Sequence, residues 1–203
     1  MGGAGSLLKS MIYSLDDNMR SIGRSIDVDH IEDIVKVHCG IGAASGVAAA
    51  ALPGAGALVA TSVAAGSVVT MYTRLAKALG VKLNEGLIRA VASAVVADVS
   101  ASVLGNIAIS AALSLIPGIG SLPSGIITGA ANYGVVYLAA LIFIKMLAAI
   151  FHAKKDISTM TADELIKMTK EISNDIDKKK AMKEASDNYK EEKKKDKDKS
   201  NDK

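Results

Sequence analysis

Tryptophan is absent from this 203-residue chain, and Phe and Tyr together contribute only seven residues. Almost nothing is therefore available for stacking nucleic-acid bases, and a net charge of +3 is too small for a phosphate-binding surface of that kind. A single Cys excludes a disulfide scaffold and supplies too few thiolates for a structural zinc site. Three Pro beside eighteen Gly, with no glycine period of three, exclude collagen and proline-rich linkers. The dipeptide Gly-Lys does not occur, so there is no phosphate loop of the Walker type. No Gly-x-Ser-x-Gly elbow occurs either, and no nucleophile has a base at a recognisable spacing. His38 and Cys39 are adjacent and diverge on a helix, while His30 and His152 add no ligand set. These absences point to a protein that is not an enzyme, with no cofactor and no metal.

What the chain has instead is Ala, Val, Leu, Ile and Gly, with hydrophobic residues making up 50%. The charges fall into blocks. Between Lys36 and Arg74 lie 37 residues without Asp, Glu, Lys or Arg, and between Asp98 and Lys145 lie 46 more. A surface helix of a soluble domain shows a polar face on every turn. Runs this long read as membrane-associated helices, with a soluble Ala-rich bundle as the alternative. The first apolar run begins near residue 40, too late for a cleaved signal peptide.

Each uncharged run holds the same break. Leu52-Pro53-Gly54-Ala55-Gly56 recurs 64 residues later as Ile116-Pro117-Gly118-Ile119-Gly120. Proline lacks the N–H that a helix needs, and glycine accepts positive φ, so Pro53, Gly54 and Gly56 read as one hairpin turn and Pro117, Gly118 and Gly120 as another. The expected fold class is all-α: two helical hairpins made of four apolar helices. The first arm starts at a capping box of Asp29 and Glu32 and runs toward Leu52. The second runs from about Ala57 to Leu79 and stops at Gly80. Asn84 caps a third arm, Glu85 to Ile116, and Ser124 caps a fourth that ends at His152.

Three segments follow from this: 1–28, an amphipathic piece that lies in an interface or covers the bundle; 29–152, the hairpin domain; and 153–203, a charged tail. The tail holds 15 Lys and 13 acidic residues. Thr161 to Glu164 form a capping box for one helix in it, and the end beyond Lys190 reads as disordered. Tips pointing one way leave Arg74, Lys77, Lys82, Arg89, Lys154 and Lys155 at the other end, which marks that end, both termini and the tail as cytoplasmic. Sixteen residues from Val37 to Leu52 span only about 24 Å, short of a ~30 Å hydrocarbon layer, so the first hairpin reads as shallow or reentrant and the second as spanning.

Gly42 and Gly46 form one small-xxx-small pair and Gly125 and Gly129 another, the spacing that lets helices pack closely in lipid and that Ala/Gly-rich chains also reach by chance. Asp98 reads as an ion or proton ligand, or as a headgroup-level acid paired with Lys or Arg. Lys145 is expected to snorkel. Cys39 is expected at the arm base, near the cytoplasmic interface. Gly2 and Ser6 fit the N-myristoylation pattern, which matters only in a eukaryotic cell.

The stretch from about Asp29 to Phe151 resembles the YcjF-like, GTPase-associated domain of unknown function (number six-nine-seven in that series). The likeness rests on both Pro-Gly breaks, on Leu75-Ala-Lys-Ala-Leu-Gly80, and on Thr128-Gly129 and Tyr133-Gly134 in the last arm. It implies a helical membrane domain and a GTPase acting in trans, and offers no catalytic residues. The sequence thus points to an anchor, scaffold or membrane-remodelling partner bound to a lipid bilayer, with homo-oligomers allowed. The alternative functions are a pore-forming protein, since residues 99–144 are similar in kind to inserting toxin hairpins, and a soluble interaction domain. Nucleic acid is not an expected partner.

Overall fold

A computed structural model describes residues 6–50, 56–102 and 124–201. All regular structure among them is helical. The helices are α1 (Leu7–Arg20), α2 (Val28–Ala50), α3 (Gly56–Ala78), α4 (Glu85–Ser102), α5 (Ser124–His152), α6 (Ala162–Asp175) and α7 (Lys178–Asn201). A short 3-10 turn, Ile157–Thr159, precedes α6.

The caps explain most of these boundaries. Asn84 accepts the Leu87 N–H at 2.8 Å and starts α4. Thr161 and Glu164 form a reciprocal capping box at α6. Gly80 follows α3 with φ +63, where a Cβ would be strained. At α2 the expected box is not the one used. Asp27 accepts the His30 N–H at 3.0 Å, and Glu32 instead pairs with Lys36 and Lys9. Glu32 takes up those cations because they face it across a turn of α2 and from α1.

Helix α5 is the axis of the molecule and touches all six other α-helices. Its stretch Gly129–His152 is the one described helix long and apolar enough to cross a membrane, and 89% of its 18-residue apolar window is buried inside the protein. Around it, α1 contributes Leu8, Ile12, Leu15 and Met19, spaced four, three and four residues apart and almost fully buried. From α3, Tyr72 stacks on Phe143 at 4.0 Å between ring centroids and donates its hydroxyl to the Ala139 carbonyl at 2.8 Å. Asn18 donates to the Ala148 carbonyl at 3.3 Å and ties the end of α1 to the base of α5.

The tail departs from the disordered end expected of it. It is helical to Asn201; Ala181, Met182, Ala185 and Tyr189 make a buried stripe that packs α7 against α5, and beyond it Glu192 accepts the Tyr133 hydroxyl at 3.0 Å. Helices α1, α6 and α7 therefore share one hydrophobic core with the hairpin arms.

Candidate functional site: a close-packed hairpin arm and a clasped central helix

Pro53, Gly54, Pro117, Gly118 and Gly120 lie outside the described residues, and Gly56 opens α3. Gly125 lies in the first turn of α5. Gly42 and Gly46 are buried on α2, and Gly129 is buried on α5. At Gly42 a Cβ would come within 2.7 Å of Val136 Cγ2 and 3.5 Å of the Asn132 carbonyl oxygen. At Gly129 it would come within 2.8 Å of Val47 Cγ2, 2.9 Å of the Tyr189 hydroxyl and 3.1 Å of the Ala43 carbonyl oxygen. Small residues thus bring α2 and α5 together to near backbone contact.

Among the described residues the opposite face of α2 has no such cover. Val37 and Ile41 are 51% and 46% exposed, Ala44 and Ala48 are exposed beside them, and Val47, 39% exposed, lies at the edge where α2 meets Gly129 of α5. Positions 37, 41, 44 and 48 recur at helical spacing, so they form one stripe. No charge interrupts it between Lys36 and the end of the helix. Asp33 and Lys36 bound the stripe at its N-terminal end, and from Ile41 onward its exposed side chains have no charged neighbour on α2.

Beside α2, α7 closes over α5 through a polar clasp, and Tyr189 meets the same side of Gly129 as Val47 and Ala43. The Glu184 carboxylate accepts the Leu7 N–H at 2.8 Å and the Tyr137 hydroxyl at 2.5 Å, and Ser6 also donates to it. One acid so caps α1 and holds α5 together, with charge-assisted bonds in both directions. Tyr133 donates to Glu192 at 3.0 Å, and its ring meets that of Tyr189 at 5.7 Å. Met182 fills the space above Gly134, 2.5 Å from where a Cβ would sit. Burial pushes the Tyr189 phenol above its ordinary range, and the Glu192 charge adds to this. None of the clasp was read from the sequence. The signal present was the spacing of Ala181, Ala185 and Tyr189 within the lysine-rich tail.

Other expected residues have structural partners. Asp98 accepts the Ser173 hydroxyl at 2.5 Å across the α4–α6 contact, rather than pairing with Lys or Arg. Lys178 donates to Ser102 at 3.0 Å, and Lys145 forms an ion pair with Asp175. Ser6 caps α1, which gives that serine a folding role. Cys39 is fully buried, because its face of α2 packs into the core. Ser67 donates to the His38 carbonyl at 3.1 Å, while its Oγ lies 3.4 Å from the His38 ring. With its proton committed to a carbonyl, Ser67 is not an activated nucleophile. Among the described residues no three His, Cys, Asp or Glu side chains converge as a metal site.

Compared with protein-family models, curated proteins and solved structures, the chain gives no match. The geometry is that of an arm, uncharged beyond Lys36, packed on a helix of spanning length, with a charged helix clasped beside it.

Proposed function

We propose that this chain is a non-enzymatic, membrane-associated helical protein that attaches to a bilayer through the α2–α3 hairpin and serves as an anchor or scaffold. The observation that carries this reading is the exposed apolar stripe of α2, Val37, Ile41, Ala44 and Ala48, inside 37 residues without a charge. Burying a large apolar side chain contributes roughly 1.5–3 kcal/mol, so several on one face favour lipid over water. Charged α6 and α7 oppose burial in hydrocarbon, which favours a reentrant hairpin over a multi-pass topology. Basic residues at the arm bases assign that end, with the N-terminus and the tail, to the cytoplasmic side. A GTPase partner in trans and self-association extend this reading from the sequence resemblance.

One observation favours a second reading. Gly129–His152 has the length and composition of a span yet is stored inside the bundle, an arrangement suited to a permeabilising protein that releases its core helix into a membrane. Liposome flotation with a dye-release readout separates the readings. Flotation without release supports the anchor, and release supports the permeabilising protein. Full recovery without lipid sinks both and leaves a soluble interaction domain.

A further inference from the structure

The helices α1, α3 and α5 end in the same way and at the same place. Gly23 has φ +78, and the N–H groups of Gly23 and Arg24 bond back to the carbonyls of Arg20 and Met19. Gly80 has φ +63, and the N–H groups of Gly80 and Val81 bond to Lys77 and Ala76. Lys154 has φ +52, and the N–H groups of Lys154 and Lys155 bond to Phe151 and Ile150. This is one six-to-one capping motif made three times, and glycine normally occupies its left-handed position. Arg24, Val81 and Lys155, the residues that follow the left-handed one, all line a single open cavity of 540 Å³.

Lys82 and Lys154 line the same cavity, as does Asp156. Four cations and one carboxylate thus line it, and Glu164, outside the lining, also feels the charge of Lys155. Among the described residues Arg24, Lys82, Lys154 and Lys155 make no ion pair. Asp156 is already occupied: it accepts the Ser158 hydroxyl at 2.7 Å and the Ser158 N–H at 2.9 Å, which hold its carboxyl below the ordinary value. Three helix C-termini bring about half a negative charge each, which four cations outweigh. Capping alone does not account for the set. Lys82 stands beyond its cap, and Lys154 keeps a left-handed backbone that is strained for a non-glycine residue, whereas Gly23 and Gly80 adopt theirs without that strain. Strain retained at a lysine, inside a cavity with unpaired cations, is the mark of a binding site.

We propose that this cavity binds a phosphate-bearing anion, held by Arg24, Lys82, Lys154 and Lys155. Guanidinium and ammonium groups recognise phosphoryl oxygens through charge-assisted hydrogen bonds, and the cavity holds more than one phosphoryl group. The same chemistry is presented by an anionic lipid headgroup and by a free phosphorylated solute. The proposal does not depend on the membrane reading above, since a free solute needs no bilayer.

The test uses the full chain at low ionic strength, with inorganic pyrophosphate titrated by calorimetry. In parallel, sedimentation compares vesicles of phosphatidylglycerol with vesicles of phosphatidylcholine alone. Pyrophosphate is expected to bind with one-to-one stoichiometry, and Lys82→Ser should weaken it about tenfold, the loss of one charge-assisted contact. Lys154→Gly is the sharper variant. It should raise the melting temperature of the unliganded protein by relieving the left-handed lysine, and at the same time weaken pyrophosphate about tenfold. A lysine present only for folding would give the first effect without the second. Selective sedimentation with phosphatidylglycerol that both variants lose, and that pyrophosphate displaces, assigns the site to a headgroup. Pyrophosphate binding with no vesicle preference assigns it to a solute. The proposal is overturned if wild type binds neither probe, or if both variants bind as well as wild type.

Discussion

The Tyr137 hydroxyl donates to the Glu184 carboxylate at 2.5 Å, joining the middle of α5 to a helix that lies 47 residues further along the chain. The same carboxylate accepts the first N–H of α1, so one side chain fixes three helices. Glu184→Ala should destabilise the fold by about 1.5–3 kcal/mol, the range for hydrogen bonds to a charged group. Tyr137→Phe should cost less, because it leaves the acid its α1 partners. Urea denaturation measures both, and equal, negligible losses would mean that α7 is not held by this clasp.

Two glycines make opposite predictions for the same substitution. Gly129→Ala puts a methyl group against Val47, Tyr189 and the Ala43 carbonyl, and should cost about 1–3 kcal/mol as α2 moves off α5. At Gly66, on the exposed face of α3, a Cβ meets nothing within 4 Å. Gly66→Ala should stabilise the helix by about 0.5–1 kcal/mol. Thermal melts that move in the same direction for both variants would remove the close-packing argument.

Helix boundaries were the most legible feature, because a cap is a local signal. Asn84, Thr161 and Gly80 work through bonds to residues within four positions. The capping box assigned to Asp29 and Glu32 failed since Asp27 offers the same chemistry two residues earlier and Lys9, distant in sequence, captures Glu32. The tail was misread for a different reason. Fifteen lysines and thirteen acids hide a four-residue apolar stripe, and its value depends on a partner surface at Gly134 and Tyr133 that composition does not display. The converging caps of α1, α3 and α5 are visible as Gly23 and Gly80, but their shared cavity exists only once the helices are packed.

Cys39 offers a direct check on the core. Its side chain is fully enclosed, so the native protein should resist thiol reagents with or without a membrane present. Labelling should appear only in denaturant, at the rate of unfolding or local opening. Rapid modification of the folded chain would show that α2 does not pack on α5 in this register.

Acid should loosen the outer helices. Thr161 holds the Glu164 carboxyl below its ordinary value of 4.5, first through its N–H and then through its hydroxyl. Lys145 holds the Asp175 carboxyl below its ordinary 3.8 through a hydrogen bond and its charge. A carboxyl depressed in the folded state adds stability above its unfolded value and loses it as the pH falls through the folded one. The melting temperature should therefore be level from neutral pH down to about pH 5 and fall below about pH 4. A flat profile to pH 3 would show that these contacts add nothing.

The decisive substitutions for membrane attachment lie on α2, where surface exposure separates binding from folding. Val37 and Ile41 are half exposed, so Asp at either position should leave the melting temperature nearly unchanged. In a bilayer the same change places a carboxylate where an apolar side chain would enter hydrocarbon, at a cost of roughly 2.5–3.5 kcal/mol near the centre of the layer. The double variant Val37→Asp, Ile41→Asp should lose flotation with liposomes while remaining folded. Truncation after Asp177 makes the contrasting case. It removes residues 178–203, with 11 Lys and 7 acids, and uncovers Tyr133, Tyr137 and Gly134 on α5. A chain that attaches through α2 should stay on the liposomes after truncation and gain hydrophobic-dye binding, because more apolar surface is then open. If truncation frees the chain from lipid while the α2 double variant still floats, the tail is the anchor. Attachment through the hairpin would then be wrong, since the stripe would be present and the binding gone.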